Sequence, residues 1–116
     1  QDMTPNMEMV YELYLRGLKF APINLYESRA THFKVIEVDG EQRLLPPFCT
    51  LQGFGETAAR DLIRAREEVA KTNENGKFET IEELQKLSGL GKKNIELLKL
   101  NGVLDGLRET DQLTLF

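Results

Sequence analysis

The stretch "LSGLGKKNIELL" (87–98) repeats, in phase, the pattern of "LQGFGETAARDL" (51–62). Each runs apolar, polar, Gly, apolar, Gly, three residues, then a small or apolar residue. The first glycine reads as a tight turn with positive φ. The middle residue, Phe54 or Leu90, reads as an apolar plug turned into the core. The second glycine leaves bare backbone that a phosphate can approach. The helix expected after it offers free N–H groups and the positive end of its dipole. Such a site holds an anion with little side-chain charge. One Gly-x-Gly is accounted for by a plain joint between antiparallel helices. Two of them, with Gly53 and Gly89 lying 36 residues apart, read as a duplicated unit.

The duplicated pattern resembles a tandem helix-hairpin-helix module. That resemblance implies a grip on duplex DNA through backbone phosphates, without sequence readout, the two hairpins holding the two strands across the minor groove. The candidate phosphate-binding residues are Gly53, Phe54, Gly55, Thr57, Arg60 and Arg64 in the first unit. In the second they are Gly89, Leu90, Gly91, Lys92 and Lys93. Charge favours the second unit. Lys92, Lys93 and Lys99 against Glu96 give residues 88–100 a net charge of +2, whereas residues 53–71 are neutral. Lys92 and Lys93 also stand at a helix start, where the dipole disfavours cations, and a bound phosphate removes that conflict. Glu56 at the first hairpin tip argues the other way. The charged run "RDLIRAREE" is equally well read as a solvated helix face.

Outward from the hairpins, Ala58, Ala59, Leu62, Ile63 and Ala65 supply the apolar face of one helix. "TNENGK" reads as a polar turn. Thr80 with Glu83 three residues on reads as a capping box opening "TIEELQKL". Asn101-Gly102 ends the last helix, and "VLDGL" reads as a short apolar turn. Upstream, "TPNMEMVYELYLRG" reads as a helix with Thr4 as N-cap, Pro5 at its first position and Gly17 as its stop. Met9, Leu13 and Tyr14 fall on one side of it, with Val10 alongside. "LKFAPINLYESRA" carries Pro22, lacks a helical period and reads as extended. Asp39-Gly40 is a hairpin signal, with strands near 32–38 and 42–45. The expected fold class is mainly α with a small β-hairpin (α+β). The expected segments are a helix over 1–17, an extended segment and hairpin over 18–50, the tandem module over 51–107 and a flexible tail over 108–116.

Composition bounds the rest. The 116 residues are 41% hydrophobic and 29% charged, an ordinary soluble balance for one domain with appendages. No apolar run approaches the roughly 18 residues of a membrane span, so no membrane partner is expected. The net charge of −4 argues against a broad basic footprint but not against local phosphate binding. Cys49 is the only cysteine and reads as a small core residue in a reducing, cytoplasmic protein. No His/Cys/Asp/Glu spacing suggests a metal, and no nucleophile stands with a base, so no catalytic residue is assigned. Glu67-Glu68 and Glu82-Glu83 read as solvated helix faces. The chain opens on Gln1 rather than methionine, which reads as a piece of something longer.

The runs "FAPINLYESRATHF", "LLPPFCTLQGFGETAARDLIRAREE", "FETIEELQKLSGLGKKNIELLKLNGVLDGL" and the terminal "QLTLF" resemble the C-terminal end of the DNA polymerase III alpha subunit of the PolC type. The resemblance covers nearly the whole chain. Gln52 and Ser88 depart from it where helix-hairpin-helix sequences often carry proline, and "VAKTNENGK" is a longer link than usual. The resemblance implies a non-catalytic accessory segment of a replicative polymerase (a nucleotidyltransferase), holding primer–template duplex in the cytoplasm at the replisome. It implies contacts to the remainder of the polymerase chain. No cofactor is expected in this segment, since the parent's Mg2+ would be held by ligands outside it. It also implies that Gln112, Leu113, Thr114, Leu115 and Phe116 form a pentapeptide that binds the sliding clamp (beta subunit). Three apolar anchors contribute about 4–9 kcal/mol, against an association cost of at least about 4. Such a peptide binds weakly alone and gains from effective concentration when DNA is also held. Two other readings stay open, a clamp tether without DNA binding and a hairpin module of a DNA repair protein.

Overall fold

A computed structural model describes residues 4–110. The residues expected to form the clamp peptide, 112–116, lie outside the described residues. By internal contact the chain divides into two units, Gln1–Ala59 and Arg60–Phe116. The division falls inside a helix that the sequence reading kept within one module over 51–107.

The first unit begins with α1 (Met7–Leu15). Its N-cap is Asn6, whose side chain accepts the Met9 N–H at 2.8 Å, not Thr4. Pro5 is buried ahead of the cap instead of opening the helix. Asn is as good an N-cap as Thr or better, and it shortens the helix by a turn's beginning. Gly17 (φ 92) closes it, as the sequence suggests. Of its apolar residues Val10 is buried, while Met9 and Tyr14 are exposed.

Three short strands follow, β1 (Lys19–Phe20), β2 (Lys34–Val38) and β3 (Glu41–Leu45). β2 and β3 pair antiparallel across Asp39-Gly40. Both turn residues have positive φ, 54 and 82, the pair that a twist-matched two-residue hairpin requires. β1 adds to the free edge of β3 in parallel, Phe20 opposite Leu44. Only two residues of the segment expected to be extended are recruited as strand. The rest turns at Asn24, whose side-chain oxygen accepts the N–H groups of Tyr26 and Glu27.

Pro46 and Pro47 end β3, and a single 3₁₀ turn (Phe48–Thr50) comes next. Its N–H groups at Phe48 and Cys49 bond the carbonyls of Arg29 and Ala30. This turn buries Phe48 completely and exposes Cys49. The expectation of a core thiol is therefore corrected. In a one-turn helix adjacent side chains diverge, and the larger Phe48 takes the interior.

The longest helix, α2 (Glu56–Thr72), buries Ala58, Leu62, Ala65 and Val69 at the 3.6-residue period. In the second unit, α3 (Ile81–Ser88) and α4 (Lys92–Leu100) form an αα-hairpin. Thr80 caps α3 by accepting the Glu83 N–H at 3.0 Å. Glu83 reaches back to the N–H of Glu79 rather than of Thr80, at 2.8 Å, and also accepts from Asn73. Among the described residues the fold is thus four α-helices with a small three-stranded sheet (α+β).

Residues 108–110 depart from a free tail. Arg108 pairs with Thr80 in a parallel bridge, and its carbonyl accepts the Ile81 N–H at 2.7 Å. The Glu109 carbonyl accepts from Glu82 N–H, and the Thr110 hydroxyl donates to the Glu82 side chain. The reason is physical: the first amides of α3 need acceptors, and the returning strap supplies them. Thr80→Ala is expected to lower stability by about 1–2 kcal/mol, measured by urea unfolding; an unchanged midpoint would show that the strap alone holds the α3 start.

Candidate nucleic-acid interface

The second hairpin is built from the end of α3. Gly89 takes the left-handed conformation (φ 75, ψ 13), and its N–H bonds the Gln85 carbonyl at 2.8 Å. Ser88, 2% exposed, accepts the Leu90 N–H on its hydroxyl at 3.2 Å. Gln85 donates through its side-chain amide to the Leu90 carbonyl at 3.3 Å. Leu90 is thus tied on both sides of its peptide and buried. Gln85 was not singled out from sequence, and Ser88 only as a departure from the usual proline. A hydroxyl one residue before a turn glycine was the available signal.

Gly91 returns to an extended conformation (φ −75, ψ 168) and opens α4 with no side-chain cap. The first amides of that helix, at Lys92 and Lys93, have no acceptor within the helix by geometry. Both lysines are exposed, and among the described residues neither has an ion-pair partner.

The two glycines of each hairpin have different reasons to be there. Gly53 (φ 91) and Gly89 (φ 75) occupy a backbone region that side chains disfavour. Gly55 and Gly91 do not, and a Cβ added at either meets nothing within 4 Å. Neither strain nor crowding inside the protein demands a glycine at these second positions. What their lack of a side chain provides is open backbone on the outside.

The first hairpin follows the 3₁₀ turn rather than a full helix. The Phe54 N–H bonds the Leu51 carbonyl at 3.0 Å, and its ring lies 6.4 Å from that of Phe48. Thr57 and Arg60 are exposed on the first turns of α2. Arg64 stands elsewhere. Its guanidinium donates to Asp61 at 2.8 Å and to the Ser88 carbonyl at 3.3 Å, directly before Gly89. Sequence position assigns Arg64 to the first hairpin; the fold places its head at the second.

A groove of about 430 Å³ between α3 and α4 includes Glu82, Lys92, Lys99 and Glu109 in its lining. Lys99 bonds Glu109 at 2.8 Å and Glu96 at 3.6 Å. The hydrogen bond to Glu109 raises the Lys99 pKa above the ordinary lysine value, against a smaller lowering by burial. A raised lysine pKa adds stability that is complete below the ordinary value and is lost as pH climbs through the shifted one. So far as the Lys99 charge decides it, the ion pair persists at neutral pH and is lost in alkali.

Among the described residues no group of three or more His, Cys, Asp or Glu could hold a metal ion. None of their helices is long and apolar enough to cross a membrane.

The sequence profile of the helix-hairpin-helix motif matches residues 17–113. The chain belongs to the helix-hairpin-helix family. Within that family it is similar to a segment of PolC-type DNA polymerase III. It is 42% identical over 110 residues to "DNA polymerase III PolC-type" of Clostridium perfringens, covering 95% of this chain. The Streptococcus pneumoniae and Ureaplasma parvum proteins of the same name are each 39% identical, over 115 and 114 residues. The chain spans about 7% of the length of these relatives. Two helices flank the hairpin at 81–100, whereas a single 3₁₀ turn precedes α2 at 48–72.

The glycine pairs give a direct test. Gly89→Ala is expected to cost about 1–2 kcal/mol, and Gly91→Ala less than about 1. Denaturant unfolding of both variants checks the asymmetry; equal losses would mean that Gly91 serves the fold.

Proposed function

We propose that this chain is the duplex-holding segment of a PolC-type replicative polymerase, working in the cytoplasm at the replisome. One observation carries the reading. At Gly91 the backbone is extended with no side-chain cap, beside two lysines that have no ion-pair partner among the described residues, and neither a positive φ nor a close neighbour requires a glycine there. A phosphate oxygen fits that place, accepting the α4 amides while Lys92 and Lys93 neutralise its charge. Gly55 offers the same bare backbone at the start of α2, with Thr57 and Arg60 on the exposed side. Arg64, with its head 63% exposed beside Ser88, joins the second hairpin's cations in this reading. Contacts of this kind position a duplex without reading its bases. The overall charge of −4 limits the grip to these points.

Residues 112–116, "QLTLF", serve in the same reading as the tether to the sliding clamp. Their composition supports this: a glutamine followed by three large apolar anchors. The fixed strap at 108–110 supports it further, because it leaves only Asp111 between a secured residue and the motif. One extended residue spans at most about 3.6 Å, so a clamp held there stays near the start of α3, at the end of that helix away from Gly89. The acidic net charge favours the rival reading, a clamp tether without DNA binding.

Two measurements separate these. Lys92→Glu with Lys93→Glu is expected to weaken binding to a duplex of arbitrary sequence about tenfold, and to flatten the salt dependence by roughly one to two phosphate contacts. Gly91→Ala should weaken it comparably while remaining folded. Equal affinity of all variants at low salt would remove the hairpins from DNA binding. Separately, the chain with residues 112–116 should bind a bacterial sliding clamp with micromolar affinity, and the chain without them should not. Equal binding by both would sink the tether.

A further inference from the structure

Helix α1 carries more apolar surface than one packed face uses. At about 100° per residue, Leu13, Val10, Tyr14, Met7, Tyr11 and Leu15 cover an arc of about 200°. Glu8, Glu12 and Arg16 take most of the remainder. Val10 is 5% exposed, but Met7, Tyr11, Tyr14 and Leu15 are 68%, 65%, 56% and 64% exposed. The sheet side continues this surface. The Tyr14 ring stacks on Phe20 at 5.6 Å, and Phe20 lies 6.1 Å from Phe33. Together they line an open apolar groove of about 300 Å³. Single exposed apolar residues are ordinary on a protein surface; a contiguous patch built from aromatic rings and methionine marks an interface.

We infer that this face of α1 docks onto an apolar surface of the polymerase body, outside these 116 residues. The inference rests on the polymerase reading above. Three observations favour this occupant. The helix-hairpin-helix profile starts at residue 17 and leaves α1 outside the motif. The match to the Streptococcus pneumoniae protein covers 115 residues, 99% of the chain, and so must include α1. The helix thus belongs to what is shared with the polymerase, not to the hairpin module. The relatives are long enough to supply a body, since this chain spans 7% of them. Duplex DNA does not fit the face, because no groove residue is cationic and the nearby Arg16 is paired to Glu12 at 2.9 Å.

Hydroxyl-radical footprinting tests this on two proteins. One is the 116-residue chain; the other is full-length Streptococcus pneumoniae PolC-type polymerase carrying this chain in place of its own matching segment. Oxidation of Met7, Tyr11 and Tyr14 is expected to fall at least fivefold in the full-length protein. Leu100, 81% exposed and remote from the face in sequence, is the reference for overall dose. Within the full-length protein, Tyr11→Lys with Tyr14→Lys should restore Met7 oxidation. A chimera that extends primers yet leaves the three residues fully reactive overturns the docking face and spares the polymerase reading. A chimera that folds, fails to extend primers and leaves the face reactive takes down both. Protection that appears in the isolated chain as its concentration rises makes a second copy the occupant, and overturns the inference.

Discussion

The left-handed turn at Gly89 is the constraint on which the second unit depends. A residue with φ near 75° reverses the chain immediately after α3. Any side chain there is strained, so the turn is written as glycine. The reversal would leave the amide and carbonyl of Leu90, which belongs to neither helix, without partners. Gln85 and Ser88 supply them from the last turn of α3, and Leu90 is thereby pinned inward. With the plug fixed, α4 starts at a defined place with its amides outward. The strap at 108–110 does the corresponding service at the other end of α3, giving acceptors to Ile81 and Glu82.

The acidic net charge does not contradict the proposed phosphate grip once the cations are located. Lys99 is engaged by Glu109 and Glu96, and Arg64 by Asp61 and Ser88. Lys92 and Lys93 stand at a helix start with no side-chain cap, where their mutual repulsion and the dipole both favour an anion. Backbone amides carry part of the attraction, and they do not enter a count of charged side chains. A grip made this way would be local and salt-sensitive.

Much of this was legible along the chain. Positive φ at both first glycines, the β-hairpin at Asp39-Gly40, the Thr80 cap and the stop at Gly17 follow from residue chemistry that acts over four residues or fewer. Other features were not. Asn6 rather than Thr4 caps α1, because two competent N-caps two residues apart are decided by where the helix can bury Val10 and Pro5. Cys49 faces outward because Phe48 claims the interior of a single turn. β1 joins the sheet because the edge of β3 was open, and nothing in "KF" announces it.

The sequence by itself determined the local grammar of the molecule: where the chain turns, where helices begin, and which two places leave backbone bare. Those follow from the steric freedom of glycine and the reach of a side chain to its own backbone. Only the tertiary structure decided which distant groups meet. It moved the Arg64 head to Ser88, bound Lys99 to Glu109 and tied residues 108–110 to the start of α3. It also left one side of α1 without a cover. Such pairings depend on how packed elements bring together residues far apart in the chain, and no short stretch of sequence encodes that distance.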